Sequence, residues 1–233
     1  MTSRPSRLSL LAAVLLAAAL ALTGCGGSSK APARPAASKP SVTLPTGDVS
    51  VPPGVKITAP GTDLSFGQAA TVAYEPNSKR NSVLRLTVTG VQRARISDLS
   101  AYVLDKRTRR STPYYVHVTV HNAGKGDVGS TDVPLWLVDK DNTLIHASGF
   151  TNRFSACPST ALPKKFGPDA SMKTCLLYLV PDHGRFDAIS YRPLQAYEPI
   201  TWSGPVSKPA QHERKHHKKH QHSKHHKKHG KKH

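Results

Sequence analysis

The chain is 233 residues long, with 33 Lys and Arg against 14 Asp and Glu and a formal net charge of +19. Its apolar content of 37% is below the roughly 45–50% usual for globular chains, so we predict that part of it does not fold. This composition excludes a polytopic membrane protein and a single packed domain from end to end. The charge is uneven, because residues 206–233 hold ten basic residues and one acid, whereas residues 63–205 hold seventeen and twelve.

Residues 1–24 have the pattern of a lipoprotein signal peptide. Arg4 and Arg7 precede an uncharged stretch rich in Leu and Ala, residues 8–23, which is shorter than the roughly 20 residues of a membrane-spanning helix. The sequence Leu22-Thr23-Gly24-Cys25 resembles the bacterial lipobox. The resemblance implies cleavage before Cys25, a thioether bond from its thiol to a diacylglyceryl group, and an amide-linked acyl chain of the palmitate type. It also implies a mature lipoprotein at the extracellular face of the cell membrane, since two or more acyl chains suffice for stable anchoring.

Residues 25–62 predict a disordered tether that begins at the lipidated cysteine. Seven prolines fall within residues 26–62, interleaved with Gly, Ser and Ala, and few large apolar side chains are available for burial. Chains rich in proline extend by about 3 Å per residue. The tether would therefore hold a folded domain away from the membrane.

Between residues 63 and 205, apolar and polar side chains alternate as in half-buried strands. Residues 83–89 and 114–121 show this period most clearly, and further strands are predicted at 135–138, 143–145, 175–180 and 186–191. The predicted inward residues are Leu84, Leu86, Val88, Tyr114, Val116, Val118 and Val120. The predicted outward residues are Arg85, Thr87, Thr89, Tyr115, His117, Thr119 and His121. Six to eight short strands joined by turns predict an all-β fold, an antiparallel β-sandwich.

Two segments of this region carry a resemblance to a known type of domain. Residues 115–126 form a strand that ends in Asn122-Ala123-Gly124-Lys125-Gly126, and residues 135–142 form a strand that ends in Asp-Lys-Asp-Asn. The pattern is similar to an immunoglobulin-like domain of uncharacterised function in secreted and lipid-anchored proteins of actinobacteria and their Gram-positive relatives. The resemblance implies an immunoglobulin-like sandwich over residues 63–205 and assigns no catalytic or ligand residue.

Two cysteines remain once Cys25 is assigned to lipidation. In an exported domain, an even pair is expected to form a disulfide, so we predict the bond Cys157–Cys175. The alternative, a redox or metal role, is disfavoured because neither cysteine belongs to a C-x-x-C motif or adjoins a histidine.

Several candidate sites within residues 63–205 have simpler interpretations. Asp139, Asp141 and Thr143 resemble half of a calcium loop but lack its later glycine and acid, which favours a hairpin turn. His117 and His121 lie four residues apart on one strand, about 13 Å, which is too far for one metal ion. The basic residues between Lys106 and Arg110 favour a solvated loop over an anion-binding rim.

Residues 206–233 predict a disordered basic tail, in which Lys-His-His-Lys-Lys-His occurs at 215–220 and again at 224–229. One interpretation is a polycation that binds anionic wall polymers, anionic lipid headgroups or extracellular nucleic acid, more strongly below about pH 6, where histidine gains a proton. The alternative is capture or delivery of Zn, Ni or Cu, which the interleaved lysines oppose. A third is a solubilising tail without a partner. The candidate metal ligands are His216, His217, His220, His222, His225, His226 and His229.

The sequence as a whole predicts a lipid-anchored surface protein that acts as a non-enzymatic binding or interaction module. No catalytic motif such as G-x-S-x-G or H-E-x-x-H is present, and no resident cofactor is expected. The expected partners are the membrane, through the lipid, and anionic polymers or headgroups, through the tail; a protein partner stays open. Sequence-specific nucleic-acid recognition is not expected, because the aromatic residues fall mostly at core positions.

Overall fold

Ten β-strands make up the regular structure of the described chain, in a computed structural model that describes residues 49–152 and 154–209. The strands are β1 Asp63–Ser65, β2 Ala69–Asn77, β3 Arg80–Arg93, β4 Thr112–Asn122, β5 Trp136–Asp139, β6 Leu144–Ile145, β7 Ser171–Val180, β8 Phe186–Tyr191, β9 Ile200–Ser203 and β10 Val206–Ser207. Short 3₁₀ turns, and no α-helix, accompany them in these two ranges. The predicted all-β class is confirmed. The number of strands exceeds the predicted six to eight, because several short strands lack a clear alternating pattern.

The strands form two sheets. The first has the order β1-β9-β8-β5-β6, and the second has the order β10-β3-β4-β7, with β2 also paired to β3. All strand pairs are antiparallel except β1–β9 and β10–β3, which are parallel. One buried apolar cluster draws side chains from both sheets, among them Leu86, Val118, Ile189 and Trp202. The fold is therefore two sheets around a shared core.

The alternation that predicted β3 and β4 is confirmed on the core side. Leu84, Leu86 and Val88 are fully buried in the shared core, as are the even-numbered residues of β4 from Tyr114 to Val120. The prediction for Tyr115 was wrong. Its side chain was predicted to face outward, but it is buried under a covering loop. A period of two identifies the side of the sheet on which a residue lies. It does not show whether another segment covers that side.

The folded region begins earlier than the predicted boundary at Asp63. Val49 is buried against Ala73 of β2 and Val83 of β3, and Val51, Val55 and Ile57 pack around them. The Thr58 amide also donates to the Thr71 carbonyl at 2.8 Å. The last part of the predicted tether is thus ordered: residues 49–58 pack on the second sheet, and the Thr62 carbonyl accepts from the Thr201 amide of β9 in the first sheet at 3.0 Å. At the other end, β10 lies just beyond the predicted limit at Pro205.

A second apolar cluster covers the outward side of the second sheet at one end. Tyr115 and Leu177 of the sheet are buried there beneath Leu99, Phe154 and other side chains of the covering loops. The disulfide Cys157–Cys175 joins this cover to β7, with the two Cα atoms 5.1 Å apart. The predicted disulfide is confirmed. Both of its cysteines are buried in this cluster, so the bond holds the covering loop against β7.

The Asn-x-Gly-x-Gly turn after β4 is built around one buried amide. The side chain of Asn122 accepts from Ser82 Oγ at 2.6 Å and from the Gly124 amide at 3.0 Å. It donates to the carbonyls of Gly126 at 2.8 Å and Phe166 at 2.7 Å. A Cβ at Gly126 would lie 1.8 Å from the Asn81 carbonyl oxygen, so this position requires glycine. The motif that carried the family resemblance therefore has a structural role.

Within residues 49–152 and 154–209, no helix has the length and apolar character needed to cross a bilayer.

Candidate functional site

The outward side of the second sheet carries a polar surface between two apolar covers, which we call the basic face. Its residues lie on three neighbouring strands: Arg85, Thr87, Thr89, His117, Thr119, His121, Ser171 and Lys173. None of these side chains is acidic. Arg85, Thr89, His117 and Lys173 are exposed, and Thr87, Thr119 and His121 are half-buried. The surface is therefore accessible, cationic and rich in hydroxyl groups.

Strand register arranges the basic face in rows across the sheet. The rows are Arg85–His121–Ser171, Thr87–Thr119–Lys173 and Gly90–His117–Cys175. Residues directly opposite each other have Cβ atoms about 4.5–5.5 Å apart, and diagonal neighbours lie about 7–8 Å apart. Lys173 is thus a diagonal neighbour of both His117 and His121. The cationic and imidazole groups form a zigzag along the sheet, a spacing suited to an anionic polymer.

His117 lies where three open depressions of the surface meet. One, of about 600 Å³, extends over β7 and is lined by Thr119, Lys173 and the disulfide residue Cys175. The other two extend toward Tyr115 and Phe154, and toward Gly90 and Ser207. A β-bulge between Val88 and Gly90 lets Thr89 Oγ1 donate to the His117 carbonyl at 3.1 Å. The bulge therefore places Thr89 so that it holds the backbone of His117, the residue at the centre of the basic face.

The two apolar covers bound the basic face. At one end, Val49 and its neighbours lie over Ala73 and Val83. At the other, the cover tied down by the Cys157–Cys175 bond lies over Tyr115 and Leu177. The polar rows occupy the part of the sheet that neither cover reaches, so the disulfide helps define one wall of the site.

The phenol of Tyr115 joins the sheet to the 3₁₀ turn beside the basic face. Its hydroxyl donates to Asp98 Oδ2 at 3.1 Å, and the Arg95 amide donates to the same oxygen at 3.2 Å. Burial, and then the negative charge of Asp98, raise the pKa of Tyr115 well above its ordinary value. Tyr115 is therefore a neutral donor, which suits a structural anchor.

The described chain ends beside the basic face. Val206 and Ser207 pair in parallel with Val91 and Gln92 of β3, and the Gln92 side chain donates to the Lys208 carbonyl at 3.2 Å. Ser207 and His117 line the same depression. The basic sequence of the tail thus continues from a point next to the basic face.

The basic loop between Lys106 and Arg110 is exposed, as predicted, and its ordered contacts are local. Arg109 Nε donates to the Leu104 carbonyl at 2.9 Å, and Arg110 pairs with Asp182 at 3.1 Å. Both partners of this ion pair are largely exposed, so the pair is worth about 1 kcal/mol or less. We assign no site to this loop.

Residues 139–143, which resemble half of a calcium loop in sequence, form a hairpin turn between β5 and β6, as predicted. Asp139 Oδ1 accepts from the amides of Asp141 at 3.0 Å and Thr143 at 2.8 Å. Asn142 adopts a φ of 59°, the left-handed conformation that Asn tolerates in turns. The carboxylate of Asp139 is engaged by the backbone, between β5 and β6.

Among residues 49–152 and 154–209, no group of three or more His, Cys, Asp and Glu side chains is placed to hold a metal ion. Cys25, the predicted site of lipidation, lies outside the described residues. So do all the candidate metal ligands of the tail, His216, His217, His220, His222, His225, His226 and His229. Their roles stay predictions.

The sequence pattern predicted the residues of the basic face on β3 and β4 but not those on β7. The alternation in β3 and β4 placed Arg85, His117 and His121 outward. Lys173 was missed, because the predicted strand began at Cys175 whereas β7 begins at Ser171. Its signal was weak, since Ser171 to Thr174 contains one apolar residue. Only the β4–β7 register brings Lys173 beside the two histidines.

No protein-family model and no curated protein matches this chain. A solved structure that resembles it is that of MPT63, a secreted protein from Mycobacterium tuberculosis, with a TM-score of 0.43 and 11% sequence identity. The similarity covers 63% of this chain and 100% of MPT63. At this level of similarity, no function can be transferred.

Proposed function

We propose that this protein is a lipid-anchored module of the outer cell surface that binds anionic polymers without catalysing a reaction. The lipobox-like sequence ending in Cys25 supplies the anchor, and the basic face and the basic tail supply the binding surface. The ligands would be anionic wall polymers or lipid headgroups. Both the basic face and the basic tail would bind their phosphate or carboxylate groups.

The observation that carries the proposal is the composition of the basic face. Arg85, Lys173 and two histidines lie on one side of three adjacent strands, with hydroxyl groups between them and no carboxylate in the rows. A guanidinium and an ammonium group donate charge-assisted hydrogen bonds to phosphate or carboxylate oxygens. The neighbouring threonine hydroxyls add donors that orient such groups.

The tail extends this surface. Residues 206–233 carry ten basic residues and one acid, and the described part of that segment pairs with β3 next to the depressions around His117. A folded site of modest charge beside a highly charged segment would bind a long polymer at more than one place. Linked binding of this kind raises overall affinity without new contacts at either place.

The topology supports the finer proposal of an immunoglobulin-like sandwich. In such folds, a G-F-C-C′ sheet faces a sheet in which strands B and E pair. Here β9-β8-β5-β6 have the corresponding order in one sheet, and β4 pairs with β7 in the other. The additional hairpin β2–β3 and the parallel edge strand β1 are particular to this chain.

The test is a binding assay with inorganic polyphosphate as the probe and uncharged dextran as the control polymer. We expect the full-length protein in detergent to bind polyphosphate with an affinity that falls as salt rises, and to ignore dextran. A variant lacking residues 210–233 should bind more weakly but measurably, through the basic face. Equal binding to both polymers, or binding that salt does not affect, would contradict the proposal.

The anchor is tested separately by fractionating cells that express Cys25→Ala. We expect the mature form to leave the membrane fraction, whereas Cys157→Ala, a control that removes a different cysteine, should remain membrane-bound. A Cys25→Ala protein that is processed and still membrane-bound would exclude lipidation as the anchor.

A further inference from the structure

A second concave site lies where β2 ends, β5 begins and β8 ends, and we call it the tryptophan groove. It has a volume of about 350 Å³ and is walled by Glu75 and Pro76, by the segment from Asp132 to Trp136, and by Arg192 and Pro193. It shares no lining residue with the depressions of the basic face. The groove is therefore a separate candidate site.

The floor of the groove is rigid. Tyr74 donates its hydroxyl hydrogen to the Asp132 carbonyl at 2.7 Å, which ties β2 to the segment before β5. The Tyr191 hydroxyl donates to the Ala73 carbonyl, which ties β8 to β2. Burial raises the pKa of both phenols, so both are neutral donors. A preformed groove of this kind loses little entropy when it binds a ligand.

The rim of the groove is apolar and aromatic. Trp136 is half-buried, with the ring of His146 against it at a centroid distance of 4.0 Å. Pro76, Pro134 and Pro193 also line the groove. The other tryptophan, Trp202, is fully buried in the core. Grooves lined by aromatic side chains bind extended, proline-rich segments in several kinds of peptide-recognition domain.

The charge of the groove is opposite to that of the chain. Glu75 and Asp132 are exposed carboxylates, and neither forms an ion pair with a described residue. The nearby guanidinium of Arg192 donates through Nη2 to the Gln195 carbonyl. In a protein of net charge +19, two unpaired carboxylates beside an exposed indole favour a cationic ligand.

The segment from Ser190 to Tyr197, part of which lines the groove, contains three buried polar atoms without a hydrogen-bond partner. Among the described residues, the buried side-chain atoms without a partner are Ser190 Oγ, Arg192 Nε and Tyr197 Oη. Ser190 is the cross-strand partner of Trp136, and Tyr197 packs edge-on against Tyr191 at 5.9 Å. Such atoms cost about 1–3 kcal/mol each and are concentrated at functional sites. Of the three, Arg192 Nε belongs to a residue that lines the groove, and this observation does not depend on the two carboxylates.

We propose that the tryptophan groove binds an extended, proline-containing peptide segment of a partner protein, with a lysine or arginine side chain between the prolines. The prolines of the ligand pack on Trp136 and on the prolines of the groove. The cationic side chain of the ligand lies between Glu75 and Asp132. Polyproline segments are already extended, so their ordering adds little cost.

The probe is an acetylated and amidated peptide, Pro-Pro-Arg-Pro-Pro, titrated into the full-length protein while tryptophan emission is recorded. The peptide carries no fluorophore and Trp202 is inaccessible, so a change in emission reports Trp136. We expect a saturable blue shift, at least tenfold weaker binding by E75Q/D132N, and loss of the spectral change in W136F. The peptide with Glu in place of Arg should not bind.

The matched control is E198Q/D141N, which removes two exposed carboxylates elsewhere and should bind like the wild type. Melting temperatures of all variants establish that the fold is kept. No saturable response in the wild type, or equal affinity in E75Q/D132N, would overturn the proposal. A carbohydrate is the competing kind of ligand for an exposed tryptophan. If the trimer of N-acetylglucosamine, and not the peptide, gave the saturable change in emission, the proposal would also be overturned. Polyphosphate binding should be unaffected by E75Q/D132N, which separates this site from the basic face.

Discussion

Arg85 and His121 lie directly opposite each other on β3 and β4, in a row that continues to Ser171 and contains no acid. An acidic residue opposite Arg85 would stabilise the sheet, since opposite charges across strands contribute roughly 0.2–1 kcal/mol. The sheet instead places an imidazole there and a second cation, Lys173, one row away. Cross-strand charge pairing therefore does not account for this arrangement, which is the one that the proposed anionic ligand requires.

The buried amide of Asn122 should be one of the strongest local determinants of stability. N122A would remove the side-chain bonds to Ser82 Oγ and to the Gly126 carbonyl. The Gly124 amide and the Phe166 carbonyl would keep their bonds to the Val83 carbonyl at 3.0 Å and the Val128 amide at 3.2 Å. Losing this buried network should cost about 3 kcal/mol of unfolding free energy. Urea denaturation measures this cost, and N152A, at an exposed position, is the control. A loss below about 1 kcal/mol would show that water replaces the amide.

Gly126 tests the close approach within the same turn. In G126A, the new Cβ would lie 1.8 Å from the Asn81 carbonyl oxygen, so backbone must shift. We expect a loss of about 2–3 kcal/mol, in the range of overpacked sites. G149A is the matched control, because a Cβ at Gly149 meets no atom within 4 Å. Equal melting temperatures for the two variants would contradict this account.

The disulfide should stabilise the fold mainly by restricting the unfolded chain. Cys157 and Cys175 are 18 residues apart, and closing a loop of that size is worth about 3 kcal/mol in the chain-entropy model. C157A/C175A should unfold at lower urea concentration than the oxidised wild type, and wild type kept in dithiothreitol should behave like the variant. An unchanged urea midpoint after reduction would show that the disulfide does not stabilise the folded domain.

Asp127 should make stability depend on pH. Its carboxylate accepts from the amides of Phe166 and Gly129, both at 2.8 Å, and these bonds lower the pKa of Asp127. A lowered folded-state pKa adds stability above the unfolded pKa, and that stability is lost as pH falls through the folded value. D127N should therefore melt below wild type at pH 7, and the gap should close below about pH 4. A gap that stays constant with pH would contradict this assignment.

The core side of β3 and β4 was predictable from sequence, because apolar residues such as Leu84, Leu86 and Val88 alternate cleanly with polar ones. The disulfide followed from counting cysteines. The covers could not be predicted. Tyr115 and His117 have the same phase in β4, yet one is buried by a distant loop and the other is exposed.

The sites were harder to predict than the core, because they depend on register between distant segments. Lys173 joins the basic face only through pairing of β7 with β4. The tryptophan groove brings Glu75 of β2 next to the segment that carries Asp132 and Trp136, and neither carboxylate belongs to a motif. By contrast, the Asn122 turn was visible as a motif, although its physical role was not.

The central claim, that the basic face binds polyanions, is tested most directly by R85Q/K173Q in the full-length protein. The measurement is the affinity for polyphosphate as a function of salt concentration, with K106Q/K164Q as a control of equal charge loss. For nucleic-acid phosphates, each contact contributes about 0.7–0.9 to the slope of log affinity against log salt. We predict weaker binding and a slope reduced by about 1.4–1.8 in R85Q/K173Q, with little change in the control. The same affinity and slope in R85Q/K173Q as in wild type would contradict the account.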